Sequence, residues 1–356
     1  MDRRIKIALV GAGWRAAGWL RLLKKLQDRF ALLGVYCRRA ERRKALAAAG
    51  VPVADSLGAL LQRNPDFVLV CVSKTENLAV CRALLAEGAA VLCETPAGTD
   101  EAGSAAFAAL RGEKLQFAEQ YPFQPRFRAM RAAAERGLIG QPHTLQLSCC
   151  HGCHAAALMR FLLGVRGETP SVRVVRLSDA YARIRGREGG MVPSLQKNER
   201  ILALLRFAEE ANVNFENTAA GSAPIQCGEK AVLYDFSYPQ YFSGIRRPRA
   251  LLQGTEGEVG PEGGARISGD SFAEFYFSYC RGGTGGNLGA PGLETVSCGG
   301  EVLYRNPFAG RGLSDEEIAM GECLLHMQKF VEEGISFYNA NEAADDARIA
   351  VAIERA

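Results

Sequence analysis

Apolar residues fall into two regimes along this chain. Between Ile5 and Phe117, short β-branched runs alternate with segments in which apolar residues recur every three or four positions, the signature of βαβ units and a parallel sheet. Ile5 to Val10 reads as the first strand, and Trp19, Leu22, Leu23 and Leu26 give the next segment one apolar stripe at helical spacing. Leu32 to Cys37 reads as a second strand, Ser56 as the cap of a short helix carrying Leu57, Leu60 and Leu61, and Phe67 to Val72 as a buried central strand. Val91 to Cys93 and Leu115 to Phe117 supply two more strands.

Beyond Phe117 the rhythm changes. Helices are expected around Arg126 to Arg136, ending in Gly137, and around Ala155 to Leu163, ending in Gly164. Strand candidates then follow one another without helices between them: Val172 to Leu177, Ile201 to Phe207, Val232 to Phe236, Arg249 to Leu252, Phe272 to Phe277 and Val302 to Tyr304. Such a succession predicts a largely antiparallel sheet. Gly282 to Gly292 has too little side chain to pack and predicts a mobile surface loop. Ser314 with Glu317 forms a capping-box signature for a helix striped by Met320, Leu324, Met327 and Val331. No internal repeat is present.

Composition narrows the class. The 356 residues are 48% hydrophobic and 23% charged, enough apolar side chain for a sizeable core and about twice a usual single domain. Lys and Arg number 43 against 39 Asp and Glu, and the basic residues are scattered, which argues against a nucleic-acid surface. No window reaches the roughly 18 apolar residues of a membrane span, and the first apolar run is too short for a secretory signal, so a cytoplasmic protein is expected. Cysteines such as Cys71 and Cys93 sit in apolar strand-like runs as small hydrophobes and are expected to be reduced.

Directly after the first strand stands Gly11-Ala12-Gly13-Trp14-Arg15-Ala16, a G-x-G-x-x-A sequence opening a helix. The first glycine permits the tight turn, the second lets backbone amides approach a pyrophosphate, and the small third residue lets helix pack on strand. An anion there meets unpaired N–H groups and the positive end of the helix dipole. Sites for NAD usually offer Asp or Glu at the end of the second strand, whereas NADP sites present arginine to the 2′-phosphate. Here that strand ends Tyr36-Cys37-Arg38-Arg39, two guanidiniums with no carboxylate among them, so NADP is favoured over NAD.

Further motifs carry a family resemblance: Val91-Leu92-Cys93-Glu94-Thr95-Pro96, Gly137-Leu138-Ile139-Gly140-Gln141-Pro142, His154 heading a helix that ends Arg160-Phe161-Leu162-Leu163-Gly164, and Phe337-Tyr338-Asn339 followed by Glu342, Ala343 and Asp346. Together with the glycine fingerprint they make the chain resemble the Gfo/Idh/MocA oxidoreductases over nearly its whole length. The resemblance implies an α/β protein, with an N-terminal Rossmann domain of doubly wound parallel sheet over residues 1–120. A C-terminal α+β domain follows over 121–356, built on a large, mostly antiparallel open sheet, its last helices packing back on the first domain. It also implies hydride chemistry with NADP or NAD on a sugar, polyol or related small molecule, and pairing into a homodimer or homotetramer. The cofactor-binding set is expected to be Gly11, Gly13, Trp14, Arg15, Arg38, Arg39, Ser73, Asn77 and Glu94.

Two departures bear on the chemistry. The family's E-K-P lysine, which assists proton transfer, is replaced by Thr95, whose hydroxyl can donate a hydrogen bond but cannot titrate near neutrality. The D-x-x-x-H carboxylate falls on Cys150, leaving His154 as the expected acid/base, with His151 one helical turn before it. Tyr121, after Glu119 and Gln120 at the expected C-terminal edge of the parallel sheet, is a second candidate acid. Asp235 to Arg249 is dense in Tyr, Gln and Arg, a composition suited to hydroxyl and carboxylate recognition. Cys150-His151-Gly152-Cys153-His154 also satisfies C-x-x-C-H, but haem, zinc and dithiol readings are set aside for want of an export signal or further ligands, and no metal is expected. Two alternatives stay open beside an oxidoreductase: a lyase or glycosidase using NAD for transient oxidation and elimination, and a nucleotide-sensing or ligand-binding protein without dehydrogenase activity.

Overall fold

A computed structural model describes residues 3–185, 191–207, 229–243, 245–282 and 292–356. By internal contacts the chain divides into one unit of Met1–Gln124, Gly282–Leu293 and Pro307–Arg348, and another of Pro125–Arg281, Glu294–Asn306 and Ile349–Ala356.

The first unit opens with β1 (Ile5–Val10), α1 (Trp14–Lys25), β2 (Phe30–Tyr36), α2 (Ala40–Ala48), α3 (Leu57–Leu61), β3 (Phe67–Val70), α4 (Asn77–Ala86), β4 (Val91–Cys93), α5 (Glu101–Ala108) and β5 (Leu115–Phe117). The five strands are parallel in the order β2-β1-β3-β4-β5. The chain reverses its direction of winding at β1, so the crevice beyond the carboxyl ends of β1 and β3 is the topological switch point where such sheets bind ligands. Every residue of β3 is buried, as a continuous apolar run demands of a strand covered on both faces. The α1 stripe behaves as its spacing predicts, with Trp19, Leu22, Leu23 and Leu26 all buried, and the Ser56 hydroxyl accepts from Ala59 N–H to cap α3.

Helix α8 (Asp315–Glu333) also belongs to this unit, and its Ser314–Glu317 capping box is formed in both directions. The Phe337-Tyr338-Asn339 segment has a structural role: the Gln116 side-chain oxygen accepts from the Phe337 and Tyr338 amides at 2.9 Å, while Phe117 N–H donates to the Tyr338 carbonyl at 2.8 Å. The Asn339 side chain then caps the start of α9 (Ala340–Arg355), and Tyr338 bonds Asp346.

The second unit contains α6 (Pro125–Glu135), β6 (Pro142–Ser148), α7 (Gly152–Leu163), β7 (Ser171–Arg185), β8 (Met191–Phe207), β9 (Lys230–Phe236), β10 (Arg249–Gly254), β11 (Gly257–Gly260), β12 (Gly263–Ser268) and β13 (Ser271–Gly282), with β14 (Gly292–Cys298) and β15 (Glu301–Arg305) completing the sheet. Ten strands run in the order β15-β14-β13-β12-β11-β10-β6-β9-β8-β7. The pairs given by register are antiparallel except β6 with β9, which is parallel. Register assigns the two faces. Leu205, Val232, Leu145 and Leu252 align in one row, all fully buried. The alternate positions Val175, Leu202, Asp235, Ser148 and Arg249 align in a row on the opposite, open face, where Val175 is 57% exposed.

Several boundaries differ from the sequence reading. Strands β7 and β8 extend well beyond Val172–Leu177 and Ile201–Phe207, because backbone pairing in a hairpin continues through residues that carry no apolar alternation once the partner is in register. Helix α7 starts at Gly152 instead of Ala155. The loop expected over Gly282 to Gly292 lies mostly outside the described residues. No helix among the described residues is long and apolar enough to cross a membrane.

Candidate functional site

The turn between β1 and α1 is shaped by one residue that must lack a side chain. Gly11 sits at φ +128°, and a Cβ there would lie 2.1 Å from the Cys71 carbonyl oxygen. Gly11 N–H is held by the Tyr36 carbonyl at 2.8 Å, which ties the turn to the end of β2. Gly13 differs: a Cβ there would meet nothing within 4 Å, so the space it leaves opens outward. Gly13 is the N-cap of α1 and offers no side-chain acceptor, and the first turn carries no acidic residue. The leading amides of α1 are therefore uncapped donors at the positive end of the helix, beside an open cradle.

A cavity of about 610 Å³ opens on this turn. Its lining brings together Gly11, Gly13, Trp14, Arg15, Arg38, Arg39 and Ser73 from the expected cofactor set. Trp14 is 63% exposed, an unusual position for an indole. Two charged lining residues were missing from that set. Arg42 lies one turn along α2 from Arg39, so with Arg15 and Arg38 four guanidiniums line one cavity. Glu76, from the loop after β3, pairs with Arg38 at 3.0 Å. The absence of a carboxylate holds for the end of β2 but not for the cavity as a whole. Arg43 is turned back onto its own loop, donating to the Cys37 and Arg38 carbonyls with its guanidinium over the Tyr36 ring.

Asn77 and Glu94 are buried and outside the lining. Asn77 Nδ2 donates to the Glu94 carbonyl at 3.1 Å. The Glu94 carboxylate accepts from Arg15 Nε at 2.7 Å and from Trp19 Nε1 at 2.5 Å. Arg15 Nη1 also reaches Glu316, at the start of α8, at 3.0 Å. Burial opposes the Arg15 charge, but attraction and hydrogen bonding to Glu94, with help from Glu316, outweigh it and raise its pKa. Arg15 is thus clamped on one side and presented to the cavity on the other, with Nη2 buried and without a partner among the described residues.

Thr95 follows β4 at the carboxyl edge of the same sheet. Its hydroxyl oxygen is buried and has no partner among the described residues, which leaves it one hydrogen bond short. Tyr121 begins a 3-10 helix after β5, and its amide donates to Glu119 Oε1 at 3.0 Å.

The candidate histidines lie in the second unit, at the head of α7. His151 is the N-cap and His154 stands in the first turn, their ring centroids 6.0 Å apart at an interplanar angle of 79°. Aromatic rings surround His151: Phe236 is stacked at 5.9 Å, and Tyr238 and Tyr241 approach edge-on at 5.5 Å each. Tyr241 Oη lies 3.2 Å from the His151 amide nitrogen and 2.9 Å from Nδ1. The phenol thus accepts from the His151 amide and lies within hydrogen-bond distance of the ring at Nδ1. Tyr234, one pleat along β9 from Phe236, donates to the Cys150 carbonyl at 3.0 Å.

Comparison with known proteins agrees with this geometry. Residues 5–120 match the Gfo/Idh/MocA family model, described as an oxidoreductase family with an NAD-binding Rossmann fold. No curated protein matches the sequence. Among solved structures, an oxidoreductase from Thermotoga maritima is 18% identical with a TM-score of 0.61, the alignment covering 99% of this chain and 96% of that one. A putative myo-inositol dehydrogenase from Sinorhizobium meliloti is 17% identical with a TM-score of 0.59, covering 98% and 95%. A levoglucosan dehydrogenase, solved with NADH and levoglucosan, is 14% identical with a TM-score of 0.64, covering 99% and 96%. At such identities these structures establish the fold of the whole chain and nothing finer. Residues 5–120 match the NAD-binding Rossmann domain of the Gfo/Idh/MocA oxidoreductase family, and the fold is shared along the chain with proteins named as dehydrogenases.

Proposed function

We propose that the protein is an oxidoreductase that prefers NADP(H) and acts on a sugar-like or polyol substrate. The observation that carries the reading is the convergence of Arg38, Arg39 and Arg42 on the cavity that contains the uncapped glycine turn. The open cradle at Gly13 and the leading amides of α1 suit the pyrophosphate, and guanidiniums suit a 2′-phosphate through paired, charge-assisted hydrogen bonds. Arg15, immobilised by Glu94 and Glu316, adds a fixed positive charge to the same lining. Nicotinamide, when bound, supplies hydride transfer to or from a substrate carbon.

This chain's own residues would handle the accompanying proton. His154 carries the acid/base role by its place in the family motif and by an imidazole's ordinary pKa near 6.5. His151 orients or assists it from 6.0 Å away. Thr95 contributes only a hydrogen-bonding hydroxyl, so the site works without the lysine that the family pattern places there. The sugar or polyol class is supported by the neighbours named for myo-inositol and levoglucosan. Self-association through the open sheet face, where Val175, Leu177 and Leu233 are exposed, belongs to the same reading.

Thr95 favours one second reading, a nucleotide-binding protein that no longer turns over. A panel of aldoses, polyols and inositols, assayed for NADP+ reduction, separates the two. Turnover on any member supports the oxidoreductase, and tight nucleotide binding with no turnover on all of them supports the sensor.

A further inference from the structure

We propose that the adjacent thiols of Cys149 and Cys150 form a reversible redox pair, oxidised by peroxides to a disulfide at the head of α7. Their sulfur atoms lie 3.6 Å apart.

The fold builds that proximity. Consecutive side chains of an extended strand point to opposite faces, but β6 ends at Ser148 and the chain bends at Cys149, which turns both thiols to one side. The pair sits on the covered side of the sheet: Tyr234, which donates to the Cys150 carbonyl, alternates along β9 with Asp235 of the open face. It is no part of the open face through which self-association is proposed. Nor is it the C-x-x-C spacing of the sequence, which joins Cys150 to Cys153.

Access singles out the attacking sulfur. Cys149 keeps 9% of its surface exposed, whereas Cys150 keeps none. A peroxide, little larger than water, reaches Cys149 first. Cys81 also hydrogen-bonds Cys93, but both are fully enclosed, and burial pushes the Cys93 thiol up, away from the reactive thiolate. Burial does the same to Cys71 and Cys323.

The chemistry balances with hydrogen peroxide as the oxidant. The Cys149 thiolate attacks one peroxide oxygen, forming an S–O bond as the O–O bond breaks and hydroxide leaves, which gives a sulfenic acid. The Cys150 sulfur then displaces hydroxide from the sulfenic sulfur, forming the S–S bond as the S–O bond breaks. The two thiol protons end in two waters, and the two electrons lost by the sulfurs reduce the peroxide.

Such a bond is strained by construction, because adjacent Cα atoms are only about 3.8 Å apart, against roughly 4.4 to 6.8 Å in ordinary disulfides. Strain makes it easily reduced again, as a reversible pair requires. Closing the ring also changes the backbone torsions at Cys150, whose carbonyl Tyr234 holds at 3.0 Å and whose next residue, His151, is the N-cap of α7. Where the histidines serve the proton transfer proposed above, the oxidised protein turns over more slowly; the pair itself does not depend on that reading.

Peptide mapping of the full-length protein tests the proposal. The native protein is treated with hydrogen peroxide, then denatured, alkylated with iodoacetamide and digested with trypsin, which leaves Cys149, Cys150 and Cys153 together in the peptide Gly137–Arg160. The expected result is a peptide that has lost two hydrogen atoms and in which Cys153 alone takes the label. Dithiothreitol before alkylation should restore labelling of all three. Cys153→Ala should leave the loss of hydrogen unchanged, whereas Cys149→Ala and Cys150→Ala should abolish it. The proposal is overturned if all three cysteines take the label after peroxide, or if Cys149 gains oxygen in place of the lost hydrogens. A bridge that includes Cys153, or one that joins Cys81 to Cys93 instead, overturns it equally. The wild-type map decides by itself, so the test holds even if a variant at a buried cysteine does not fold.

Discussion

Arg38 and Glu76 form a 3.0 Å ion pair within the lining of the nucleotide cavity, joining the loop after β2 to the loop after β3. Glu76 is the one acidic residue among the cavity's lining residues. A 2′-phosphate must share or displace it at Arg38. Arg38 is well exposed and Glu76 half-buried, so the solvent-screened pair is weak, worth under about 1 kcal/mol. Glu76→Gln should accordingly raise NADP+ affinity by no more than about fivefold while leaving NAD+ affinity near its starting value. Paired titrations of the two nucleotides check this, and a loss of NADP+ affinity would show that Glu76 supports the ligand instead of competing with it.

The Arg15–Glu94 pair predicts a stability effect. Glu94 accepts from both Arg15 and Trp19 and is buried. Glu94→Gln keeps the shape but leaves the Arg15 charge with Glu316 alone, and Trp19 N–H with a neutral partner. A loss of about 2 kcal/mol is expected, the range for weakening a partly buried charge-assisted contact. Urea unfolding should report it as a lower midpoint at unchanged slope.

Asp235 predicts a dependence on acid. Arg200 hydrogen-bonds both Asp235 oxygens at 2.7 Å, which outweighs burial and holds the folded pKa below the unfolded value of about 3.9. The stabilisation is therefore present in full above that unfolded value and is lost as pH falls through the folded pKa. Asp235→Asn should be less stable than wild type at neutral pH, with the difference shrinking below about pH 4. Thermal unfolding from pH 7 down to pH 3 measures it, and a gap that persists unchanged at the acid end would remove the titration argument.

Proton transfer is tested through the head of α7. His154→Ala should lower turnover by roughly 10² to 10⁴, the usual worth of a positioned acid/base, with nucleotide affinity nearly unchanged. Tyr241→Phe removes the hydroxyl that meets the His151 ring and should cost about tenfold in turnover, with a change in the His151 ring-nitrogen chemical shifts of labelled protein. Full turnover in the His154 variant would move the proton transfer to Tyr121 or to another group.

Much of this was legible in the sequence, for identifiable reasons. Strand β3 is buried on both faces, so its apolar run was unambiguous, and Ser314 with Glu317 announced α8 by its cap. Helix α2 was invisible because it buries no residue and so has no apolar stripe, and with it went the placement of Arg42 beside Arg39. Strands β11 and β12 carry no strand signal in the sequence because they are glycine-rich. At Gly264 a Cβ would come within 1.8 Å of the Glu258 carbonyl oxygen, so the close approach of the strands itself demands the residue that hides them. Glu94 and Asn77 belong to recognisable motifs, but a motif gives a position and not a direction. Both side chains turn inward to hold Arg15 and the β4 edge, where a linear reading had them touching the nucleotide. Glu76 carried no sequence signal, since its meeting with Arg38 depends on two loops converging from different strands.

The central claim is that the glycine turn and the arginines after β2 hold a nicotinamide dinucleotide phosphate. Calorimetric titration of NADP+ and NAD+, at low and at physiological salt, into wild type and into Arg39→Gln and Arg42→Gln tests it directly. The account predicts that NADP+ binds at least about tenfold more tightly than NAD+ at low salt, the worth of one good guanidinium–phosphate contact. That margin should narrow as salt screens the exposed arginines, and each substitution should cut NADP+ affinity while sparing NAD+. A tenfold preference for NAD+, or no binding of either nucleotide at millimolar concentration, would contradict it.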